Sequence, residues 1–170
     1  MSIKKIAFIG GTGPEGIGLA LRMASVGHRV LIGSRTQERG KEVSERILAE
    51  VPDANVYGGT NQEVVNDADV VFLTFPYSGQ EATLKTLVDD LNNVIVCNVV
   101  APLEFVKGIG AVAQDVPGNS AAEEAAVQLP DSRVVAAFQN MSAEKLMKLG
   151  EPVESDVLVC SDDHEAKGVV

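Results

Sequence analysis

Ile6-Ala7-Phe8-Ile9-Gly10-Gly11-Thr12-Gly13-Pro14-Glu15-Gly16-Ile17-Gly18 is the stretch that decides the fold. Ile6 to Ile9 is a continuous apolar run, as expected for a strand covered on both faces. Gly11, Gly13 and Gly16 form G-x-G-x-x-G. In that pattern the first glycine permits a tight turn, the second lets a pyrophosphate approach the backbone, and the third lets a helix lie close to its strand. Pro14 suits a first helical turn, where an N–H would lack a partner anyway. The free amides and the positive end of the helix dipole then face the phosphates. Gly16, Ala20 and Ala24 recur every fourth residue and give the helix a small-residue face. The motif follows an apolar strand and opens a helix of good formers, Leu19 to Ala24, which is the context dinucleotide binding requires.

Around this unit the chain alternates strand and helix. That predicts a doubly wound, mostly parallel α/β sheet of Rossmann type with helices on both faces. Strands are expected at Arg29–Ile32, Asn55–Gly58, Asp69–Phe75, Val94–Val100, Arg133–Phe138 and Asp156–Cys160. Helices are expected from a Thr36 cap to about Glu50, from an Asn61 cap over 62–66, over 79–91, from a Ser120 capping box to Gln128, from Ser142 towards Gly150, and after Asp162-Asp163. Glu42 and Arg46 read as a surface i,i+4 pair. Leu103 to Gly118 has three glycines and no clean period, so it reads as a long loop lining a ligand site.

At 170 residues the chain is one domain's worth. No apolar run is long enough to span a membrane, and the charged start Lys4-Lys5 leads into a strand rather than a signal peptide. A net charge of −10 opposes a nucleic-acid partner. Cys97 and Cys160 lie inside apolar runs without metal-ligand spacing, so both read as buried cysteines of a reducing compartment, the cytoplasm. His28 and His164 read as solvated surface residues, which leaves no good histidine base.

The second strand ends at Gly33-Ser34-Arg35-Thr36, with no acid until Glu38. NAD sites place a carboxylate there for the ribose 2′-hydroxyl. Here Ser34 and Arg35 offer hydroxyl and guanidinium donors instead, and Arg39 lies one turn further on. Charge logic therefore points to NADP(H). Three other strand ends would surround the nicotinamide: Thr74-Phe75-Pro76-Tyr77, Asn98 to Pro102 including Val100 and Ala101, and Phe138-Gln139-Asn140. They are mostly apolar. Hydride transfer between two ring cofactors needs two carbons held close in a dry pocket, and no obligatory acid, base or metal.

Gly10-Gly11-Thr12-Gly13 with Gly16 and Gly18, then Gly33-Ser34-Arg35, then Leu73-Thr74-Phe75-Pro76, resemble the NADPH-dependent coenzyme F-420 reductase family. Val159-Cys160-Ser161-Asp162-Asp163 is similar to that family's Cys-Gly-Asp-Asp segment. The resemblance implies a Rossmann-fold enzyme passing a hydride between NADPH and the 8-hydroxy-5-deazaflavin coenzyme F-420, working as a homodimer. It implies that Thr12 and the glycines hold the pyrophosphate, with Pro14 and Glu15 in the same turn. Ser34, Arg35 and Arg39 would hold the 2′-phosphate, Pro76 and Tyr77 would pack near the nicotinamide, and Phe138, Gln139 and Asn140 would lie by the deazaflavin. Gln139 stands where several relatives have histidine or asparagine. Members of the family continue with C-terminal helices, so the resemblance implies a single NADP-binding domain, 1–170, that lacks them. The competing readings are an NADP-dependent reductase of a flavin, an imine or ferric iron, and an NADP-binding module without catalysis.

Overall fold

The computed structural model describes residues 4–170. The chain runs β1 (Lys5–Ile9), α1 (Pro14–Ser25), β2 (Arg29–Ser34), α2 (Gln37–Glu50), β3 (Val56–Thr60), α3 (Asn61–Val65), β4 (Val70–Leu73), a 3-10 turn (Tyr77–Gly79), α4 (Gln80–Lys85), β5 (Ile95–Asn98), β6 (Leu103–Val106), β7 (Gly110–Ala113), α5 (Ala121–Gln128), β8 (Arg133–Ala136), α6 (Ala143–Leu146) and α7 (His164–Val169). Six strands form one parallel sheet in the order β3-β2-β1-β4-β5-β8. The strand order reverses between β1 and β4. That is the switch point where such sheets bind ligands, outside the carboxyl ends of the strands.

Alternate residues of each strand feed two cores. Ile6, Phe8, Val30, Ile32, Val70 and Phe72 face α1, α2, α6 and α7, where Ile17, Leu21, Ile47, Leu146 and Ala166 pack on them. Ala7, Ile9, Leu31, Val71, Leu73 and Val96 face the opposite side, with Val64, Leu84, Leu87, Ala125 and Leu129. The doubly wound reading is thus realised, and burial on both faces explains why the strands read as unbroken apolar runs. Arg22 of α1 reaches across to α6. Its guanidinium donates to the carbonyls of Lys145, Leu146, Lys148 and Glu151 at 2.6–2.9 Å, satisfying the groups a helix end leaves bare.

Several expectations are corrected. The helix expected over 79–91 is a 3-10 turn followed by α4, which stops at Lys85. Beyond it the amides of Thr86, Leu87 and Asp90 bond three residues back, and the Thr86 hydroxyl takes the Thr83 carbonyl at 2.7 Å, a side chain competing with the backbone ladder. Residues 103–118 are not one long loop. β6 and β7 make an antiparallel ribbon, turned at Gly108 and Gly110 with φ of +84° and +103°, values that glycine adopts freely.

Asp156–Cys160 is not a strand. Only Cys160 pairs, with Ala136, because the Ser161 hydroxyl occupies the Val134 carbonyl at 2.7 Å and the Asn140 amide occupies that of Asp156. Cys160 is accordingly exposed at the sheet edge, while Cys97 is buried. Thr60, not Asn61, caps α3 in a reciprocal capping box with Glu63. His28 is buried, its Nδ1 accepting from the Lys4 amide at 3.1 Å, whereas His164 is exposed. Glu42 pairs with Arg39, not Arg46.

Candidate functional site

The turn after β1 is built so that backbone, not side chain, faces the crevice above the switch point. Gly10 has φ +67° and lies under Phe75, whose Cβ would be 2.9 Å from a Cβ at residue 10. The Gly11 amide donates back to the carbonyls of Phe8 and Gly33, tying the turn to β1 and β2. A Cβ at Gly16 would come within 2.7 Å of Gly11 Cα and 2.8 Å of Thr74 Oγ1, so α1 starts in direct contact with the loop and with β4. Thr74 Oγ1 donates to the Ile9 carbonyl at 3.1 Å. At Gly13, the N-cap of α1, the nearest atom to a Cβ would be 3.9 Å away. The space there is open, at the start of α1, whose first-turn amides lack intrahelical partners.

The crevice encloses about 640 Å³. Gly10, Thr12 and Gly13 form one wall; Ser34, Arg35, Thr36 and Arg39 another; Thr74, Phe75 and Pro76 the third. Thr36 caps α2, its hydroxyl accepting from the Arg39 amide at 3.4 Å, which sets both arginines at the crevice mouth. Arg35 is exposed and makes no ion pair among the described residues. Asn61, Ser78, Gly79 and Thr83 also line the crevice, and none of them is among the site residues expected from the sequence. Asn61 Oδ1 accepts from the Gly10 amide at 3.3 Å, bracing the turn from the end of β3. Their only sequence signal is position: they follow the carboxyl ends of β3 and β4, the edge where ligands bind.

Other expected site residues lie outside this lining. Gly11 and Gly16 shape it from beneath. Val100, Ala101 and Pro102 follow β5, behind a buried amide network. There Asn98 Nδ2 donates to Gln80 Oε1 at 3.0 Å, Gln80 Nε2 to the Ala121 carbonyl at 2.8 Å, and the Val100 amide to Asn98 Oδ1 at 2.9 Å. Gln139 Nε2 donates to the Asn98 carbonyl at 2.8 Å, so its amide is engaged at the end of β5. The Tyr77 hydroxyl donates to Glu124 at 2.7 Å, and this bond holds the phenol pKa above its ordinary value. Phe138, at φ +71°, packs its ring on Phe72 with centroids 5.7 Å apart. Asn140 donates to the Asp156 carbonyl at 2.8 Å, towards the C-terminal segment.

Pro14 is exposed, and Glu15 follows it in the first turn of α1. One Glu15 carboxylate oxygen is enclosed without a hydrogen-bond partner, and desolvation raises its pKa to about 7. The folded protein therefore holds this proton more tightly than the unfolded chain, whose carboxyl titrates near 4.5. Stability falls as pH rises from that value to about 7 and stays lower above it. Partial solvent access reduces the cost at alkaline pH to on the order of 1–2 kcal/mol. Glu15→Gln is expected to flatten this slope and to be the more stable protein at about pH 8. Thermal unfolding of both proteins at about pH 5 and about pH 8 measures it, and parallel slopes would refute it.

The sequence model of the family "NADP oxidoreductase coenzyme F420-dependent" matches residues 5–102. The chain belongs to this family. The match spans β1 to the turn after β5 and so contains all three crevice walls. Residues 133–140, which include the stretch expected beside the second substrate of an F420-dependent NADP oxidoreductase, lie outside the matched segment. The F420-dependent NADP reductase of Methanothermobacter thermautotrophicus is 41% identical over 169 residues, 96% of this chain and 73% of that protein. The F420-dependent NADP reductase of Methanocaldococcus jannaschii is 39% identical over 98% of this chain and 76% of its own length. A crystal structure of a candidate F420-dependent NADP-reductase from Arthrobacter sp. FB24 superimposes with a TM-score of 0.80 at 24% identity, covering 99% of this chain and 78% of that one; it speaks to the fold alone.

Proposed function

We propose that this chain binds NADP(H) in the crevice and exchanges a hydride between it and the deazaflavin coenzyme F-420. The observation that carries the cofactor choice is the end of β2. Ser34, Arg35, Thr36 and Arg39 stand on the crevice wall, and among the described residues no carboxylate lines the crevice, where one would meet a ribose 2′-hydroxyl and repel a 2′-phosphate. Thr12, Gly13 and the first-turn amides of α1 hold the pyrophosphate, favoured by the helix dipole. Ser34, Arg35 and Arg39 hold the 2′-phosphate. Thr74, Phe75 and Pro76 supply an apolar wall that orients the dinucleotide and excludes water, and Tyr77 extends it.

The nicotinamide, when bound, supplies the hydride chemistry. The contribution of this chain is position. Val100, Ala101 and Pro102 border the nicotinamide, Tyr77 and the segment Phe138-Gln139-Asn140 border the acceptor, and no residue is assigned as acid or base. The names of the relatives, F420-dependent NADP reductases, support the acceptor. Residues 1–170 act as one dinucleotide-binding domain, paired with a second copy in the cytoplasm. Among the described residues no helix is long and apolar enough to cross a membrane.

The test is the absorbance of the oxidised deazaflavin mixed with NADPH and the protein. Loss of that absorbance, slower with NADH, is expected. Tight NADPH binding with no deazaflavin reduction would refute the acceptor and leave the cofactor reading standing. Light scattering behind a sizing column reports the pairing, and a single-copy mass would refute it.

A further inference from the structure

Two cations stand at the crevice mouth, but only one is unengaged. Arg35 makes no ion pair among the described residues. Arg39 Nη1 lies 2.6 Å from Glu42 Oε2, three residues on along the exposed face of α2. Side chains on a helix lean towards its N-terminus, so Glu42 leans over Arg39 and towards the crevice wall that Arg39 lines. A guanidinium that already donates to a carboxylate must release it, or share its fork, before it can take a phosphate bidentately.

We propose that Glu42 sets cofactor affinity: its carboxylate competes with the 2′-phosphate of NADPH for Arg39 and weakens NADPH binding while leaving NADH untouched. The inference rests on the reading of this crevice as an NADP(H) site. It divides the work between the two arginines. Arg35 captures the phosphate at once, and Arg39 joins by exchanging one anion for another. Among the described residues the neighbouring charges on the same helix, Glu38, Lys41, Glu45 and Arg46, form no ion pair with Glu42, so the exchange involves Arg39 alone.

Calorimetric titration of the wild type, Glu42→Gln, Arg39→Gln and the double variant with NADPH and with NADH tests this. Glu42→Gln should bind NADPH about two- to five-fold tighter, the scale of an exposed ion pair, with NADH affinity unchanged. The gain should vanish in the Arg39→Gln background. Unchanged or weaker NADPH binding by Glu42→Gln overturns the proposal, as does an equal change for NADH. A gain that survives without Arg39 overturns it too, since it would mark plain repulsion. A wild type that does not prefer NADPH overturns the site reading along with it, whereas a clear preference combined with an inert Glu42→Gln overturns this inference alone.

Discussion

Gly58→Ala should lower stability by about 3 kcal/mol or more, the upper range for forcing an extra carbon into packed structure. For a chain of this size that is a fall in Tm of roughly 6–12 °C. A Cβ on Gly58 would meet Gly40 O and Gly40 C, and would lie 2.7 Å from Lys41 N. The reverse also holds, because a Cβ on Gly40 would meet Gly59 O and lie 2.7 Å from Gly59 N. Backbone therefore touches backbone where α2 crosses β3, and neither side has a flexible end that could swing away. The only relief is to lift α2, and α2 begins with the Thr36 cap and carries Arg39. NADPH affinity should fall with stability in this variant. Differential scanning calorimetry decides it; a Tm within about 2 °C of wild type would show that the two elements part without strain.

Arg35→Ala should reduce NADPH affinity about 10- to 100-fold and leave NADH affinity and Tm where they were. Hydrogen bonds to a charged group are worth about 1.5–3 kcal/mol, and each 1.4 kcal/mol is a factor of ten. Because Arg35 is exposed and unpaired among the described residues, its removal takes nothing from the fold. Cofactor titration with both dinucleotides separates a binding role from a structural one. An unchanged preference for NADPH would place the 2′-phosphate elsewhere.

The sheet and its first helix were legible because their signals are local. Unbroken apolar runs at Ile6–Ile9 and Val70–Leu73 specify buried parallel strands, and Gly11, Gly13 and Gly16 specify a tight turn with a helix packed close against it. The wall of Ser34, Arg35 and Arg39 could be read from charge at a strand end. The rest depends on competition between partners distant in sequence or hidden in side-chain chemistry. The helix after β4 is cut short because Thr86 bonds Thr83, in a stretch whose leucines still recur at helical spacing and still reach the core. Ser161 and Asn140 remove acceptors that a seventh strand would need. His28 follows a glycine turn and looked solvated, yet a single amide from Lys4 draws it inside. Asn61 has the residue type of a cap and serves instead as a brace for Gly10, and Thr60 takes the capping role from one residue away.

The ribbon of β6 and β7 stands apart from the main sheet, with Phe105 83% and Ile109 76% exposed. Two strands alone have little to hold them closed in water. Its amides should therefore trade deuterium far sooner than those of β1 or β4, through an opening that leaves the sheet intact. In a digest, the first cuts should fall at Phe105 and Lys107, and the severed halves should stay together, because the sheet holds β5 beside β8 on either side of the break.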